Sequence, residues 1–336
     1  MLNESLPSRR LQRRGHPLGR VLLASLCFAV VAGCGPKTQP PRVIHYDSRP
    51  WDYRGMAGTE LRSIHYTLRT TCEDEEFLNL IPVFLEACWQ QYEALLPSDY
   101  ELNEPAVTYL FHQRWEWDRF TEDFAPDRAA TYKRIRSGGY SERGVTVSHY
   151  SSRRGTLSVL AHEGLHQYLE LTRGGQIPPW LNEGLACYFE GFDLDPTDRN
   201  RPVFTPEYNP LRSSHLRDTL AHKRMIPLRE ILATHAGLEV QKRPRHVRSY
   251  YAQEWSLVLY LLQPSYRNPY HAGFRALLDE VGTEVMRRKA NALMAAVTDE
   301  TISVGEAVFR AYISDDLEQF ETDYEAFMRD LLDMNW

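Results

Sequence analysis

Two histidines four residues apart, His162 and His166, with Glu163 directly after the first, constrain this chain more than any other feature. On a helix, residues four apart stack on one face, one turn above the other. Both imidazoles therefore aim at one point. Glu163 is next to His162, so its carboxylate can serve a water at that point without being a ligand. Catalytic zinc takes three protein donors and keeps a fourth position for water, so a third donor is needed. Glu183, in the run Trp180-Leu181-Asn182-Glu183-Gly184-Leu185-Ala186, is the candidate, with residues 167–182 between it and His166. Taken alone, the first run also fits an amphipathic helix with two solvated histidines. The second run, at ligand spacing, favours the metal.

The intervening sequence suits that geometry. Residues 157–172 read as a helix with Leu157, Leu160, Leu165, Tyr168 and Leu169 as its apolar positions. Gly174-Gly175 predicts a left-handed C-cap, and Pro178-Pro179 an extended lead. A second helix is expected from near Trp180 to about Glu190, before Gly191. A helix, a turn and a second helix bring Glu183 back beside the histidines.

H-E-x-x-H followed by W-L-N-E-G-L-A resembles the gluzincins, the metallopeptidase group that includes thermolysin-like and aminopeptidase-N-like enzymes. Within that group it looks like the bacterial peptidase MA-like families, many of them described only as domains of unknown function. The resemblance is strong from Leu157 to Glu190. It is weaker through Tyr251-Ala252-Gln253-Glu254-Trp255-Ser256-Leu257-Val258 and from Ala307 to Leu331. It implies zinc on His162, His166 and Glu183, Glu163 as general base, and an α+β, zincin-like fold. That fold has a small mixed sheet, an H-E-x-x-H helix and a largely helical C-terminal part.

Two departures matter. No G-x-M-E-N segment is present, which argues against an aminopeptidase. Thermolysin-like enzymes carry an aspartate four residues after the glutamate ligand to orient a zinc histidine, and Cys187 stands there. The orienting group must then come from elsewhere, and Cys187 reads as a small buried apolar residue. The resemblance also implies an oxyanion donor from the C-terminal helices. Tyr251 aligns best, with Tyr250 and His246 as rivals; a core role on an amphipathic helix is the other reading of Tyr251. His112, His149, His215, His222, His235 and His271 show no ligand spacing and read as ordinary surface or core histidines. Asp279-Glu280 and Asp315-Asp316 read as solvated polar positions.

The amino terminus reads as a targeting segment. Arg9, Arg10, Arg13, Arg14 and Arg20 form a basic stretch, and Val21 to Ala32 an apolar one too short for a comfortable membrane span. Val31-Ala32-Gly33-Cys34 resembles a bacterial lipobox, which implies cleavage before Cys34 and its lipidation; an ordinary signal peptide or anchor helix is the alternative. The formal net charge is −6, and residues 1–33 hold five arginines and one glutamate, so processing leaves a chain near −10. Such an acidic chain carries no electrostatic footprint for nucleic acid. Membrane attachment would come from the lipid. Gly35 after the lipid cysteine is no aspartate retention signal, which favours an outer membrane by resemblance. Cys72, Cys88 and Cys187 remain, an odd number. Cys72 and Cys88 flank a predicted helix about 24 Å long, too far apart for a disulfide, so three unpaired thiols are expected.

The chain then divides into a signal (1–33), a lipidated cysteine and proline-containing tether (34–50), an α/β N-terminal part (51–156), and the zinc-site helices with a helical C-terminal part (157–336). Strands are expected at 62–71, 106–111 and 144–150. Helices are expected at 74–95 (with Pro82 inside) and 115–123. In zincins the strand before the active-site helix is an edge that pairs with extended substrate, and Val145 to His149 is the resembling segment; a plain hairpin strand is the other reading. Residues 192–215, with four prolines, read as loop. Helices follow at about 227–234, 249–263, 270–281, 283–297 and 303–333.

The favoured function is an envelope-anchored zinc peptidase acting on a peptide or protein. The competing functions are a zinc hydrolase acting on cell-wall peptides and a non-catalytic zinc-binding lipoprotein. Glu163 weighs against the last, since a purely structural site needs ligands but no base. The lipobox reading predicts that Cys34→Ser releases the protein into the soluble fraction of a membrane preparation. Persistent membrane association of that variant would point to an uncleaved anchor instead.

Overall fold

The computed structural model describes residues 44–333 except 136–137, 175–176, 196, 199–200, 236–245, 265–267 and 298–301. The targeting segment and Cys34 lie outside the described residues. The N-terminal half is a mixed sheet. Its strands are β1 (Asp47–Tyr53), β2 (Met56–Arg62), β3 (Tyr66–Thr70), β4 (Ala106–Phe111), β5 (Gly139–Glu142) and β6 (Val145–His149), in the order β1-β2-β3-β4-β6-β5. β3, β4 and β6 run parallel, and β1, β2 and β5 are antiparallel to their neighbours. Parallel neighbours need crossovers. Helix α1 (Glu75–Leu95) joins β3 to β4; α2 (Arg114–Phe124) and the short α3 (Ala129–Tyr132) lie between β4 and β5. Both end hairpins turn on Arg-Gly pairs. Arg54-Gly55 joins β1 to β2, Arg143-Gly144 joins β5 to β6, and all four residues have positive φ. Two-residue hairpin turns demand that conformation.

Alternation along the strands separates two cores. Leu68, Ala106 and Leu110 face α1 and α4 (Arg153–Arg173), while Phe111 and Val147 face Trp117 and Phe120 of α2. Helix α4 is buried on almost every side, which is how a helix behaves in the centre of a protein rather than on its surface. Ser152 caps its start by accepting from the Gly155 N–H. Arg153 ties that start to α1 through Asp74, the N-cap of α1, at 2.7 Å. Tyr92 of α1 donates its hydroxyl to the Ala161 carbonyl at 2.6 Å.

The C-terminal half is helical apart from one hairpin. It comprises α5 (Pro179–Phe189), β7 (Phe192–Leu194) paired with β8 (Pro202–Phe204), α6 (Pro210–Ala221), α7 (Leu228–Ala233), α8 (Val247–Leu262), α9 (His271–Glu280), α10 (Glu284–Ala296), α11 (Val304–Tyr312) and α12 (Leu317–Asp333). The fold is thus mixed α+β with a helical C-terminal part. Cys72, Cys88 and Cys187 are free and buried.

Five expectations need correction. Residues 47–50, assigned to the tether, belong to β1, where Asp47 to Pro50 pair with Arg62 to Thr59; an edge strand tolerates Pro50. The strand expected at 62–71 is divided between β2 and β3 by a turn in which the Ser63 N–H donates to the Tyr66 carbonyl. Val145 to His149 is not an edge: β4 and β5 flank it, and β5 is the edge. The 192–215 loop contains the β7–β8 hairpin and the start of α6, where Asn209 caps and Pro210 opens the helix. The helix expected at 303–333 is two, because Asp316 accepts from the Gln319 N–H and starts α12 afresh.

Helices α5 and α8 approach at Gly184. A methyl there would lie 2.5 Å from Val258 Cγ2 and 2.8 Å from the Glu254 carbonyl oxygen. Backbone cannot yield as a side chain does, so Gly184→Ala is expected to cost about 1–3 kcal/mol. Thermal denaturation checks this; an unchanged midpoint would mean that the two helices part without cost.

Candidate metal centre

Helix α4 presents His162 and His166 on one face, as their spacing requires. The helix stops at Gly174, whose φ of 71° and ψ of 19° are the left-handed cap expected there. Pro178 is extended, and Pro179 occupies the first turn of α5. That return carries Glu183 to the histidines. Its Oε2 lies 3.3 Å from His162 Nε2 and 3.6 Å from His166 Nε2. Zinc bonds of about 2.0–2.1 Å at tetrahedral angles separate their donors by about 3.3 Å. The three atoms therefore already stand near the spacing of a shared cation.

Glu183 Oε2 is buried and has no hydrogen-bond donor. A buried carboxylate oxygen without a donor is costly, and a cation between it and the imidazoles would remove that cost. His162, His166 and Glu183 fit a metal ion on this observation as well as on spacing.

The far side of each ring is fixed. His162 Nδ1 lies 2.8 Å from Glu190 Oε1, and His166 Nδ1 lies 3.0 Å from Asn182 Oδ1. Acceptors on Nδ1 hold the proton there and leave both Nε2 atoms to face the centre. Glu190 is therefore the orienting carboxylate whose usual position Cys187 occupies. It is itself held by Arg212, whose Nε donates to Oε2 at 2.8 Å and Nη2 to Oε1 at 2.5 Å, and by Asn209 Nδ2 at 3.2 Å. Sequence reading missed Glu190, Asn209 and Arg212; the one local signal was the Asn-Pro pair that starts α6. Cys187 is buried beside His162 and Glu190. Burial pushes its thiol up to about 12, so it stays protonated and serves as packing.

Burial tends to raise Glu183, but the His166 and His162 imidazoles outweigh it and hold the carboxyl well below the usual range. Burial likewise tends to raise Glu190, and Arg212 and His162 bring it down to about 2. Burial tends to lower His162 and His166. It is outweighed at His162 by the neighbouring Cys187, Glu183 and Glu190, and at His166 by the charge of Glu183, so both imidazoles are raised. Glu163 is different: burial raises its carboxyl and the two imidazoles oppose this only in part.

Glu163 lies against the edge strand. A methyl on Gly139 of β5 would come within 3.2 Å of Glu163 Cγ, so glycine leaves room for this carboxylate. Thr146 Oγ1 of β6 donates to the Glu163 carbonyl at 3.2 Å. Tyr251, on α8, stands over His162 with ring centres 5.9 Å apart and planes at 74°. Tyr250 is fully buried and donates its hydroxyl to the Thr234 carbonyl at 3.3 Å. His246 occupies the N-cap position of α8. Of these three, Tyr251 has the described ring contact with a metal-site histidine. His149 packs on Trp117, His222 meets Asp218, and His271 Nδ1 lies 3.1 Å from the Leu261 carbonyl oxygen, as structural histidines do.

Residues 156–271 match the model of a family described as a protein of unknown function, DUF1570. The matched stretch holds most of α4, all of α5, α6 and α8, and every residue of the centre from His162 to Tyr251. No curated protein and no solved structure matches the chain.

If the three donors bind zinc, His162→Ala and Glu183→Ala should each abolish stoichiometric zinc in metal analysis; full zinc in both would put the metal elsewhere. The raised imidazoles also set a sign. Zinc must displace protons from His162 and His166, so affinity should rise with pH and fall as the solution is acidified. Calorimetry in buffers of different ionisation enthalpy should register proton release on binding, and no release would contradict the protonated imidazoles.

Proposed function

We propose that this chain is a zinc-dependent peptidase of the gluzincin type, a probable endopeptidase, carried to the bacterial cell envelope by a lipid on Cys34. One observation carries the reading: two Nε2 atoms and one carboxylate oxygen converge at zinc-donor spacing, and the residue next to His162 in the chain is a buried glutamate, Glu163.

A zinc ion held by His162, His166 and Glu183 would supply an acidified water and a Lewis acid for the substrate carbonyl. Glu163 would serve as the base beside that group, accepting a proton from the attacking water and returning it to the leaving nitrogen. Its raised pKa suits both steps, because a group poised toward neutrality accepts and returns a proton readily. Tyr251, whose ring meets that of His162, is the residue we assign to donate a hydroxyl to the developing oxyanion. The β5 edge, with Gly139 against Glu163, offers backbone groups to which an extended peptide adds as a further strand. That assignment moves the substrate strand from Val145–His149 to Gly139–Glu142.

Location at the envelope is supported by the basic and apolar amino-terminal segments and the lipobox at Cys34. No described helix is long and apolar enough to cross a membrane.

The test is a peptide-library digest with zinc analysis, on protein starting at Gly35 and on its Glu163→Gln variant. Zinc near one per chain in both, with cleavage reduced by at least about 10²-fold in the variant, is expected. Zinc in both and cleavage in neither would favour a binding protein on this fold, and equal cleavage in both would remove Glu163 as the base.

A further inference from the structure

Arg212 touches both sides of the candidate centre. In the first turn of α6, its guanidinium holds both oxygens of Glu190, at 2.8 and 2.5 Å. Glu190 in turn holds His162 Nδ1 at 2.8 Å. The same guanidinium lies over the Tyr251 ring, with Cζ 4.8 Å from the ring centre. Tyr251 belongs to a different helix, α8, and its ring meets the His162 ring edge-on with centres 5.9 Å apart. The four side chains close a circuit: His162 to Glu190, Glu190 to Arg212, Arg212 to Tyr251, Tyr251 back to His162.

The backbone makes this circuit stiff. Asn209 accepts from the Arg212 N–H at 3.2 Å while its own amide donates to Glu190 Oε2 at 3.2 Å. Helices α6 and α8 are bonded through Thr219 Oγ1 and Ser249 Oγ at 2.8 Å. Arg212 is itself largely buried, so its guanidinium plane has little room to swing. A planar guanidinium can fork onto a carboxylate and stack on an aromatic face at once; an ammonium can do the first only loosely and the second without a plane.

We infer that Arg212 is a positioning residue that couples metal binding to oxyanion stabilisation, by fixing through one guanidinium both the Glu190 carboxylate that aims His162 and the Tyr251 ring that meets the substrate. The inference rests on the peptidase reading for its Tyr251 half, and on metal binding alone for its Glu190 half.

The experiment compares zinc affinity, measured by competition with a chromophoric chelator, with kcat and KM on a peptide that the wild-type protein cleaves. Glu190→Gln and Arg212→Met should each raise the zinc Kd by about 10–100-fold, and the two together no more than either alone. Arg212→Lys should recover most of the zinc affinity, since an ammonium still faces Glu190. At saturating zinc, however, its kcat should fall in the same direction as that of Tyr251→Phe, for which about 10²-fold is expected, with KM little changed. Arg212→Lys combined with Tyr251→Phe should be no slower than Tyr251→Phe alone. A merely structural arginine would move zinc affinity and kcat together and be rescued in both by lysine. Should Arg212→Met not fold, the combined Glu190→Gln, Arg212→Met protein, which removes both buried charges, and Arg212→Lys carry the test. Unchanged zinc affinity in Arg212→Met beside a weakened Glu190→Gln overturns the inference, as do independent, multiplying losses in the Lys–Phe pair. Wild-type protein that binds zinc but cleaves no peptide overturns the peptidase reading instead, and the zinc comparison then decides the Arg212–Glu190 coupling.

Discussion

The Glu190–Arg212 ion pair lets a polar site exist in the middle of this protein. Helix α4 runs through the core with neighbours on nearly every side, yet it carries two imidazoles and a carboxylate. Each of these groups loses hydration there and needs a partner. Glu190 supplies one for His162, and Arg212 neutralises Glu190 with a forked contact. Taking one member of such a pair away leaves a buried charge uncompensated, at a cost of about 3–5 kcal/mol. The pair is therefore a weak source of net stability but a strong constraint on where α5, α6 and α8 can sit.

That constraint is reinforced by close backbone contacts. Gly184 lets α5 lie against α8, and Gly164 lets the Tyr92 hydroxyl approach to within 3.0 Å of where a methyl would be. Tyr92 is thereby able to bond the Ala161 carbonyl immediately before the first histidine. Gly139 leaves space for Glu163 on the sheet side. Small residues thus surround the centre on three elements, so that polar side chains reach one another across short gaps. Packing therefore fixes where these side chains can sit.

Much of this was legible in residue order, and the parts that were not share a reason. The span of α4, its glycine stop, and the restart at Pro179 follow from local capping rules, so Glu183 was placed before any tertiary contact was known. The polar partner on His166 comes from the same return, because Asn182 immediately precedes Glu183. In the sequence Glu190 is only the last residue before Gly191, and Arg212 lies unmarked in a stretch that reads as loop. Their significance arises from three elements meeting, α4, the end of α5 and the first turn of α6, and no local pattern reports such a meeting. The Arg-Gly pairs at 54–55 and 143–144 were readable hairpin turns, and reading the second would have placed β5 outside β6 as the edge.

By itself the sequence determined the convergence of His162, His166 and Glu183 and the helix–turn–helix that unites them, since those depend on helical periodicity, capping and chain reversal within about thirty residues. It also determined that the thiols stay unpaired, by their number and spacing. Only the tertiary structure decided which strand is the open edge beside Glu163, which carboxylate aims His162, and which tyrosine meets the centre. Those outcomes turn on the order in which distant strands pair and the angle at which α6 and α8 cross α5. Packing of the whole chain selects both, and a glutamate or tyrosine carries the same local signal whether it ends in the centre or faces away from it.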